Sequence, residues 1–360
     1  MEPVPANSPL ETTSLIVDVD TGIDDSVALL YLLARDDADV VAILSTAGNV
    51  PTAQVAVNNL AWLELCGRTD IEVAVGADGP LSSPLRTTED THGPQGIGYA
   101  VLPHPTHRVS DRSAAQAWID LTRERPGELV GLVTGPLTNL ARAVRADPEL
   151  PGRLRRLVVM GGAFEYPGNT TPVAEWNVSV DPEAAAEVFA AFSSVPQDRA
   201  PIVCGLDVTE RIILRPEHLH RLGALTGSTP VETVGPDDDP STRSTTSNPV
   251  VRHVSDALRF YFEFHRDHGQ GFIAHLHDPF AAAVALDPGI ARYRRATVDV
   301  ETEGRITRGQ TVADWNGLWG RPPNAWIATD TDPDEFLDDL IRRVAGLARL
   351  VGADRERTDR

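Results

Sequence analysis

The chain has 360 residues, of which 41% are hydrophobic and 23% charged, values typical of a folded protein with a sizeable core. Its formal net charge is -20, and such a surface repels phosphate backbones and anionic lipids, so we expect neither nucleic acid nor membrane partners. All 32 basic residues are arginine, which excludes Schiff-base chemistry, lysine-bound pyridoxal phosphate and the lysine of a phosphate-binding loop.

Few signals of compartment or processing are present. Cys66 and Cys204 are the only cysteines and form no CxxC motif, which indicates a reducing compartment and no sulfur-ligated metal. The first residues lack the basic and apolar regions of a signal peptide, and no apolar run approaches the roughly 18 residues of a membrane span. We therefore expect a cytoplasmic protein with a flexible tail over residues 1–13.

Apolar runs of strand length alternate with segments of helical length along most of the chain. The predicted strands cover residues 14–20, 40–48, 72–76, 128–134, 156–162 and 201–209, and the predicted helices cover residues 27–34, 54–65, 114–122, 137–145 and 182–192. The C-terminal part predicts closing strands within residues 296–304, 308–315 and 324–330, a last helix over residues 333–350 and a charged tail over residues 351–360.

Continuous apolar strands between helices are typical of a parallel sheet that is covered on both faces. We therefore predict an α/β fold: a single large domain over residues 14–350, with an open, mostly parallel (mixed) Rossmann-like sheet and helices on both faces. Such sheets bind ligands at the carboxyl ends of their strands, where Asp20, Asn49 and Thr134 lie. Residues 235–249 are rich in Ser, Thr, Asp and Pro, and predict a mobile loop or insertion.

The sharpest motif is VDVDTGIDD at residues 17–25, which places four carboxylates within eight residues at a strand end and the following turn. Carboxylates packed so closely repel one another unless a cation or a set of hydrogen bonds holds them. A set of oxygen ligands favours a hard cation, calcium or magnesium. The alternative is that Asp24 or Asp25 caps a helix while the other carboxylates are solvated.

Three further segments carry polar side chains beside apolar runs. GNTTPVAEWN at residues 168–177 combines amides with a carboxylate, which suits sugar hydroxyls, although a turn-rich loop explains it equally. HDPF at residues 277–280 precedes an alanine-rich segment, where Asp278 alone is typical of a helix cap. THGPQGIG at residues 91–98 is a glycine-rich turn with one histidine and lacks the helix that would follow a phosphate loop.

Taken together, these motifs resemble the inosine-uridine preferring nucleoside hydrolase family, the metal-dependent N-ribohydrolases. The resemblance extends from about Leu15 to the last helix. The matching motifs, in chain order, are VDVDTGIDD, GN at residues 48–49, HGPQG, VTGPLTNLA, MGGAF, GNTTPVAEWN with VSVDPEAA, and HDPFAAAVAL.

The resemblance implies a calcium cofactor, a nucleoside substrate and a role for each of eleven residues. By this resemblance the metal ligands are Asp20, Asp25, Asp278 and the carbonyl of Thr134; Asp24 and Asn177 hold the ribose 2′-hydroxyl; Asn169 and Glu175 hold the 5′-hydroxyl; Asn49 lines the ribose site; and His277 and His92 face the base. A homodimer or homotetramer is also implied.

The implied reaction is hydrolysis of the N-glycosidic bond through an oxocarbenium-like sugar. A floor of carboxylates stabilises that cation, and calcium orients the hydroxyls and lowers the pKa of a bound water. Asp20 is then the general base, and His277 or solvent is the acid toward the leaving base. A hydrolase of a different ribosyl glycoside remains an alternative.

The chain departs from the family pattern at several positions. Thr21 replaces a usual proline, Trp176 replaces a common phenylalanine, and His275 adds a second imidazole near the base. In the segment at residues 259–272, helical spacing indicates that Phe260 and Phe264 belong to the core. Of these departures, His275 bears on base preference, as does the unusual loop at residues 235–249, and the sequence leaves that preference open.

Two aromatic residues and two alternative functions bear on the predicted site. Tyr261 and Phe272 are candidates for stacking on a base. The run from Asp18 to Thr21 looks like the aspartyl-phosphate signature of haloacid dehalogenase phosphatases, but that chemistry generally needs a lysine, which the chain lacks. A nucleoside-binding protein without turnover would be expected to have lost a metal-ligating residue or the catalytic general base. In this chain all positions that match the family motifs are intact.

Overall fold

The computed structural model describes residues 12–358, and the side chains of residues 12–353. Its strands are β1 (Thr13–Val19), β2 (Ala38–Ser45), β3 (Glu72–Val75), β4 (Val130–Val133), β5 (Arg156–Met160), β6 (Ile202–Cys204), β7 (Ile213–Leu214), β8 (Ala274–His275), β9 (Ala291–Val300), β10 (Thr311–Asp314) and β11 (Ala325–Thr331). Its helices are α1 (Ile23–Leu33), α2 (Thr52–Leu65), α3 (Glu89–His92), α4 (Ala114–Glu124), α5 (Thr138–Ala146), α6 (Leu150–Arg153), α7 (Trp176–Val180), α8 (Pro182–Phe192), α9 (Leu206–Thr209), α10 (Pro216–Thr226), α11 (Pro249–Asp267), α12 (His277–Leu286) and α13 (Pro333–Thr358).

Nine strands form one sheet in the order β10-β9-β11-β6-β5-β4-β1-β2-β3. The seven strands from β11 to β3 run parallel, whereas β9 and β10 are antiparallel to their neighbours. The chain leaves β1 toward β2 and β3 and later returns to β4 on the other side of β1. This reversal makes the gap between β1 and β4 a topological switch point, where open α/β sheets bind their ligands.

Apolar side chains cover both faces of the sheet. Along β1, Leu15 and Val17 belong to one buried cluster and Ile16 to the other, because successive side chains of a strand point to opposite faces. Residues of α1, α2 and α10 to α13 complete the first cluster, and residues of α4 to α6 and α8 complete the second. Strands such as β4 are buried along their whole length, which explains their continuous apolar sequences.

The predicted fold class is confirmed, and several boundaries differ. The last helix continues from Pro333 to Thr358, so the helix extends eight residues into the predicted charged tail. The run predicted as a strand over residues 201–209 stops at Cys204 and turns into α9 after Gly205. Thr13, predicted in the tail, begins β1, and residues 1–11 lie outside the described residues. No described helix is long and apolar enough to cross a membrane.

Residues 235–248 contain neither helix nor strand, and Pro249 begins α11. This segment packs against the neighbouring helix. Arg259, a buried residue of α11, forms an ion pair with Asp238 at 3.0 Å. The guanidinium of Arg243 lies 3.6 Å from the centre of the Tyr99 ring. The Asp238 contact joins the segment to α11, and the Arg243 contact joins it to the loop that holds Tyr99.

Candidate active site

A cavity of about 200 Å³ opens at the carboxyl ends of the strands. Ten of the eleven residues that the sequence analysis assigned to the site line it: Asp20, Asp24, Asn49, His92, Thr134, Asn169, Glu175, Asn177, His277 and Asp278. Asp25 is fully buried beneath this surface. The switch point therefore gathers residues that are up to 258 positions apart in the chain, from Asp20 to Asp278.

Buried carboxylates form the floor of the cavity. One oxygen each of Asp24, Asp25 and Asp278 lies within 4.8 Å of the others, an arrangement that could hold a metal ion. Asp24 and Asp25 lie in the first turn of α1, and Asp278 lies in the first turn of α12. The predicted ligand Asp20 is outside this tightest group, and Asp24, predicted to bind ribose, is inside it.

Asp20 follows β1 and is held by one backbone hydrogen bond. The amide of Asn49 donates to its Oδ2 at 2.8 Å, whereas its Oδ1 is buried and has no hydrogen-bond partner among residues 12–353. Asp25 is more fully satisfied, because the Gly22 amide donates to one oxygen at 2.8 Å and the Thr134 hydroxyl to the other at 2.6 Å. Asp20 therefore keeps an oxygen free for a cation or a water.

The carboxylates are held in a setting that opposes their negative charge. Burial and then the neighbouring Asp25 raise the pKa of Asp24 to about 7. Burial, followed by repulsion from Asp24 and Asp25, raises the pKa of Asp278 well above its usual range. Burial and Asp25 do the same for Asp20. No arginine lines the cavity among the described residues, so a bound cation is the available source of compensating charge.

Asp18 of the same motif has a different position. Its carboxylate accepts hydrogen bonds from the Trp118 indole at 2.8 Å and the Asn139 amide at 2.9 Å. Burial raises its pKa to about 7, although both hydrogen bonds act in the opposite direction. Asp18 does not line the cavity. It joins β1 to helices α4 and α5, and the sequence did not distinguish it from the other three carboxylates.

Amides and one buried glutamate form the next part of the wall. Glu175 caps α7, since its carboxylate accepts hydrogen bonds from the backbone amides of Asn177 at 2.7 Å, Val178 at 3.0 Å and Gly162 at 3.0 Å. Asn177 donates from Nδ2 to the carbonyl of Thr134 at 2.6 Å. The predicted ligand carbonyl of Thr134 thus has one hydrogen bond and a second lone pair that remains available.

Three oxygen acceptors of this cavity are buried and unpartnered within the described part of the chain: Asp20 Oδ1, Asn49 Oδ1 and Asn177 Oδ1. A buried acceptor without a donor costs roughly 1–3 kcal/mol. Hydroxyl groups or a cation would satisfy all three atoms. The arrangement therefore fits a ligand that carries several hydroxyls beside a metal ion.

Imidazoles and aromatic rings form the remaining wall. The amide of Ile23 donates to His92 Nδ1 at 3.1 Å, and burial lowers the pKa of His92 to about 3. His277 Nδ1 lies 2.8 Å from the Thr209 hydroxyl, and burial, then His275, lowers its pKa well below the usual range. Both imidazoles are therefore neutral near pH 7.

Helix α11 and the residues that follow it form a wall that the sequence analysis described only in part. Phe264, predicted to lie in the core, packs against it and also lines the cavity with Tyr261, whereas Phe272, a candidate for stacking, packs on Phe262 at 5.1 Å. His265 and His268 lie on the same face. Their spacing of i, i+3, i+4 and i+7 from Tyr261 marks one side of a helix, and this pattern could have identified the wall.

A family model described as inosine-uridine preferring nucleoside hydrolase matches residues 15–338. The pyrimidine-specific ribonucleoside hydrolase RihA of Salmonella newport (strain SL254) is 37% identical over 331 residues, which cover 92% of this chain and 97% of the relative. RihA of Escherichia coli O7:K1 is 37% identical over 332 residues, with the same coverage of both chains.

Solved structures agree with this assignment. The purine-preferring ribonucleoside hydrolase from Gardnerella vaginalis superposes with a TM-score of 0.82 at 29% identity, covering 94% of this chain and all of the other. The plant nucleoside hydrolase PpNRh1 gives a TM-score of 0.80 at 30% identity, covering 93% and 99% of the two chains. The chain belongs to the inosine-uridine preferring nucleoside hydrolase family of metal-dependent hydrolases, and it is a nucleoside hydrolase.

Proposed function

We propose that the chain hydrolyses the N-glycosidic bond of pyrimidine ribonucleosides to free base and ribose, with calcium at the carboxylate floor. The observation that carries this proposal is the buried triad of Asp24, Asp25 and Asp278 beside unpartnered acceptors of the same cavity. The name of the 37% identical relatives supports pyrimidine nucleosides.

The residues present fit a hard cation. All candidate ligands are oxygens: the carboxylates of Asp20, Asp25 and Asp278 and the carbonyl of Thr134, with Asp24 close enough to take part. Carboxylates combined with a carbonyl suit calcium, which accepts more ligands and looser geometry than magnesium. When bound, calcium orients the ribose hydroxyls, offsets the repulsion between the carboxylates and lowers the pKa of a coordinated water.

Each side chain of the cavity then has a separate role in binding or catalysis. Asp24 accepts the hydrogen bond of the 2′-hydroxyl and Asn177 lies beside the same hydroxyl, Asn49 Oδ1 lines the ribose, and Glu175 with Asn169 holds the 5′-hydroxyl. The negative floor stabilises the oxocarbenium-like sugar as the bond to the base breaks. Asp20 accepts the proton of the attacking water through its unpartnered Oδ1.

The departing base needs a hydrogen-bond donor. His277 is held by the Thr209 hydroxyl at 2.8 Å on its Nδ1. If Thr209 donates in this contact, the proton of the neutral ring resides on Nε2, which can then donate to the base. His92 has its Nδ1 occupied by the Ile23 amide, so its proton is also on Nε2.

The test is release of base and ribose from uridine, cytidine, inosine, adenosine and guanosine, with and without a calcium chelator. We expect pyrimidine ribonucleosides to be hydrolysed fastest and the chelator to abolish release. Asp20→Asn should lower kcat by roughly 10²–10⁴-fold. Asp70→Asn, which changes an exposed carboxylate paired with Arg68, is the matched control and should retain wild-type activity.

Each outcome separates the alternatives. Chelator-resistant release would overturn the metal assignment, and faster release from purine nucleosides would overturn the base preference. Saturable binding of nucleosides without release would indicate a binding protein, and release only from another ribosyl compound would indicate a different glycoside hydrolase.

We also propose a homodimer or homotetramer. Exposed apolar side chains of Ile306, Leu318 and Trp319 lie in the loops around the edge strand β10 and support contact with a second copy. Light scattering on the eluting protein should give two or four times 38.8 kDa. A mass of one chain at micromolar concentration would contradict the proposal.

A further inference from the structure

The aromatic wall of the cavity is a continuous series of rings. The ring centre of Tyr261 lies 5.4 Å from His92 and 4.6 Å from His265, and His275 lies 4.9 Å from His265 and 5.7 Å from His277. Such a wall suits a planar base. What distinguishes one base from another is the hydrogen-bonding capacity of its edge, so the polar atoms of this wall decide the preference.

His265 has a defined tautomer. Its Nδ1 contacts the side-chain oxygen of Gln270, an acceptor, so Nδ1 carries the proton and donates. Burial lowers the pKa of His265 to about 4, which keeps the ring neutral. Nε2 is therefore an acceptor. It is buried and has no hydrogen-bond partner among the described residues, although His265 lines the cavity.

The same signature marks the ribose part of the cavity. Asp20 Oδ1, Asn49 Oδ1 and Asn177 Oδ1 are also buried, unpartnered acceptors of lining residues. At those atoms the expected partners are hydroxyl groups, which donate hydrogen bonds, or a cation. His265 lies against Tyr261 rather than among the carboxylates, so an N–H group of the base is a suitable donor for its Nε2.

The surroundings of His265 favour one kind of edge. Glu210 also lines the cavity, and its carboxylate lies 3.3 Å from His275 Nε2. His275 Nδ1 is a second buried nitrogen that has no hydrogen-bond partner in the described part of the chain. His265 Nε2 and the Glu210 carboxylate are hydrogen-bond acceptors on this wall. An exocyclic amino group of the base supplies donors to such acceptors, whereas a carbonyl of the base at the same position would place its own lone pairs against theirs.

We propose that His265 is a specificity-determining residue, and that its Nε2 accepts a hydrogen bond from the exocyclic amino group of the base, which favours cytidine over pyrimidine ribonucleosides without that group. This inference rests on the proposed hydrolase function and names the substrate class within it. Gln270 is a positioning residue, since it holds the proton on Nδ1.

The test compares kcat/KM for two substrates, cytidine and pyrimidin-2-one ribonucleoside, which lacks only the amino group. Both are measured with the wild-type protein and with His265→Phe, which keeps the ring and removes both nitrogens. The intrinsic difference between the two leaving groups is the same for every protein and cancels in the comparison. We expect the ratio of cytidine to pyrimidin-2-one ribonucleoside to fall about tenfold in His265→Phe.

Two further variants keep the test decisive. Gln270 is exposed, so Gln270→Leu should fold normally; it frees the tautomer of His265 and should lower the same ratio about threefold. His268→Phe is the matched control, because His268 lines the same wall but has no unpartnered buried nitrogen. It should leave the ratio unchanged, whatever its effect on the two separate rates.

An unchanged ratio in both His265→Phe and Gln270→Leu would overturn the proposal, and is the result expected if a water, not the base, pairs with Nε2. An equal fall in His268→Phe would also overturn it, because the effect would then come from the shape of the wall. Failure of the wild-type protein to hydrolyse any nucleoside would instead overturn the proposed function.

Discussion

The close approach of Gly48 to Asp20 makes the position of the proposed general base sensitive to a single methyl group. A Cβ atom built on Gly48 would lie 2.9 Å from Asp20 Cγ and 2.9 Å from Pro136 Cδ, and closer still to Asp20 Oδ2. Carbon atoms normally approach to about 3.5–4.0 Å. Gly48→Ala must therefore displace the Asp20 carboxylate by about 1 Å, because the ring of Pro136 blocks the other direction.

A displacement of that size has a large kinetic cost. We expect Gly48→Ala to lower kcat roughly 100-fold, the usual penalty for misplacing a reacting group by about 1 Å. The overpacking should also lower the free energy of unfolding by about 1–3 kcal/mol. The hydrogen bond from the Asn49 amide to Asp20 should be disturbed as well, so we expect weaker calcium binding.

The assay is ribose release at saturating nucleoside and calcium, combined with calcium titration and urea unfolding. Gly152→Ala is the matched control, since a Cβ there meets no atom within 4 Å and Gly152 has no positive φ. If Gly48→Ala kept its kcat within about threefold of wild type and its calcium affinity unchanged, the reasoning from steric contact would be refuted.

Three further predictions concern stability. Calcium at 100 times its Kd should raise the free energy of unfolding by about 2.7 kcal/mol, and Asp278→Asn should lose this increment; equal urea midpoints with and without chelator would contradict the metal site. Because the folded pKa of His265 is about 4 against 6.5 when unfolded, the unfolded state binds more protons between these values, and stability falls as pH falls through that window. When the pH is lowered from 7.5 to 5, the free energy of unfolding of His265→Phe should therefore rise by about 2 kcal/mol relative to that of the wild type. If urea unfolding gave the same difference between the two proteins at both pH values, the result would argue against a buried neutral imidazole. Arg259→Met removes the buried partner of Asp238 and should cost about 1–3 kcal/mol and speed proteolysis within residues 235–249, whereas Arg68→Met, at an exposed pair, should cost under about 1 kcal/mol; equal losses would show that the buried ion pair does not fasten the segment.

Local sequence patterns were sufficient for the fold class because the strands are buried on both faces. Runs such as VGLV in β4 are apolar without interruption, and helical segments that cover the two faces of the sheet separate these runs in the sequence. The helix predicted over residues 182–192 is α8, and the Asp181 side chain before it accepts a hydrogen bond from the Ala184 amide at 3.1 Å. These signals depend on residues close together in the chain.

Boundaries were harder to predict where a local signal competed with packing. The last helix continues past Leu350 to Thr358, although the sequence there is charged. A charged sequence is compatible with a helix whose one side packs on the core, as Val351 does. Conversely, the apolar character of residues 201–209 continued beyond β6, because α9 is also buried apart from Asp207.

The sequence by itself determined the α/β architecture, the candidate carboxylates and the family, because buried strands, helix caps and motif order are written in consecutive residues. Only the tertiary structure decided which carboxylates come together. Asp18 accepts a hydrogen bond from Trp118, while Asp24, Asp25 and Asp278 lie close to one another. The convergence follows from sheet order, which places β1 beside β4 and brings α1 against α12. Likewise, the free lone pair of His265 depends on Gln270 and on burial, and neither is visible until the chain has folded.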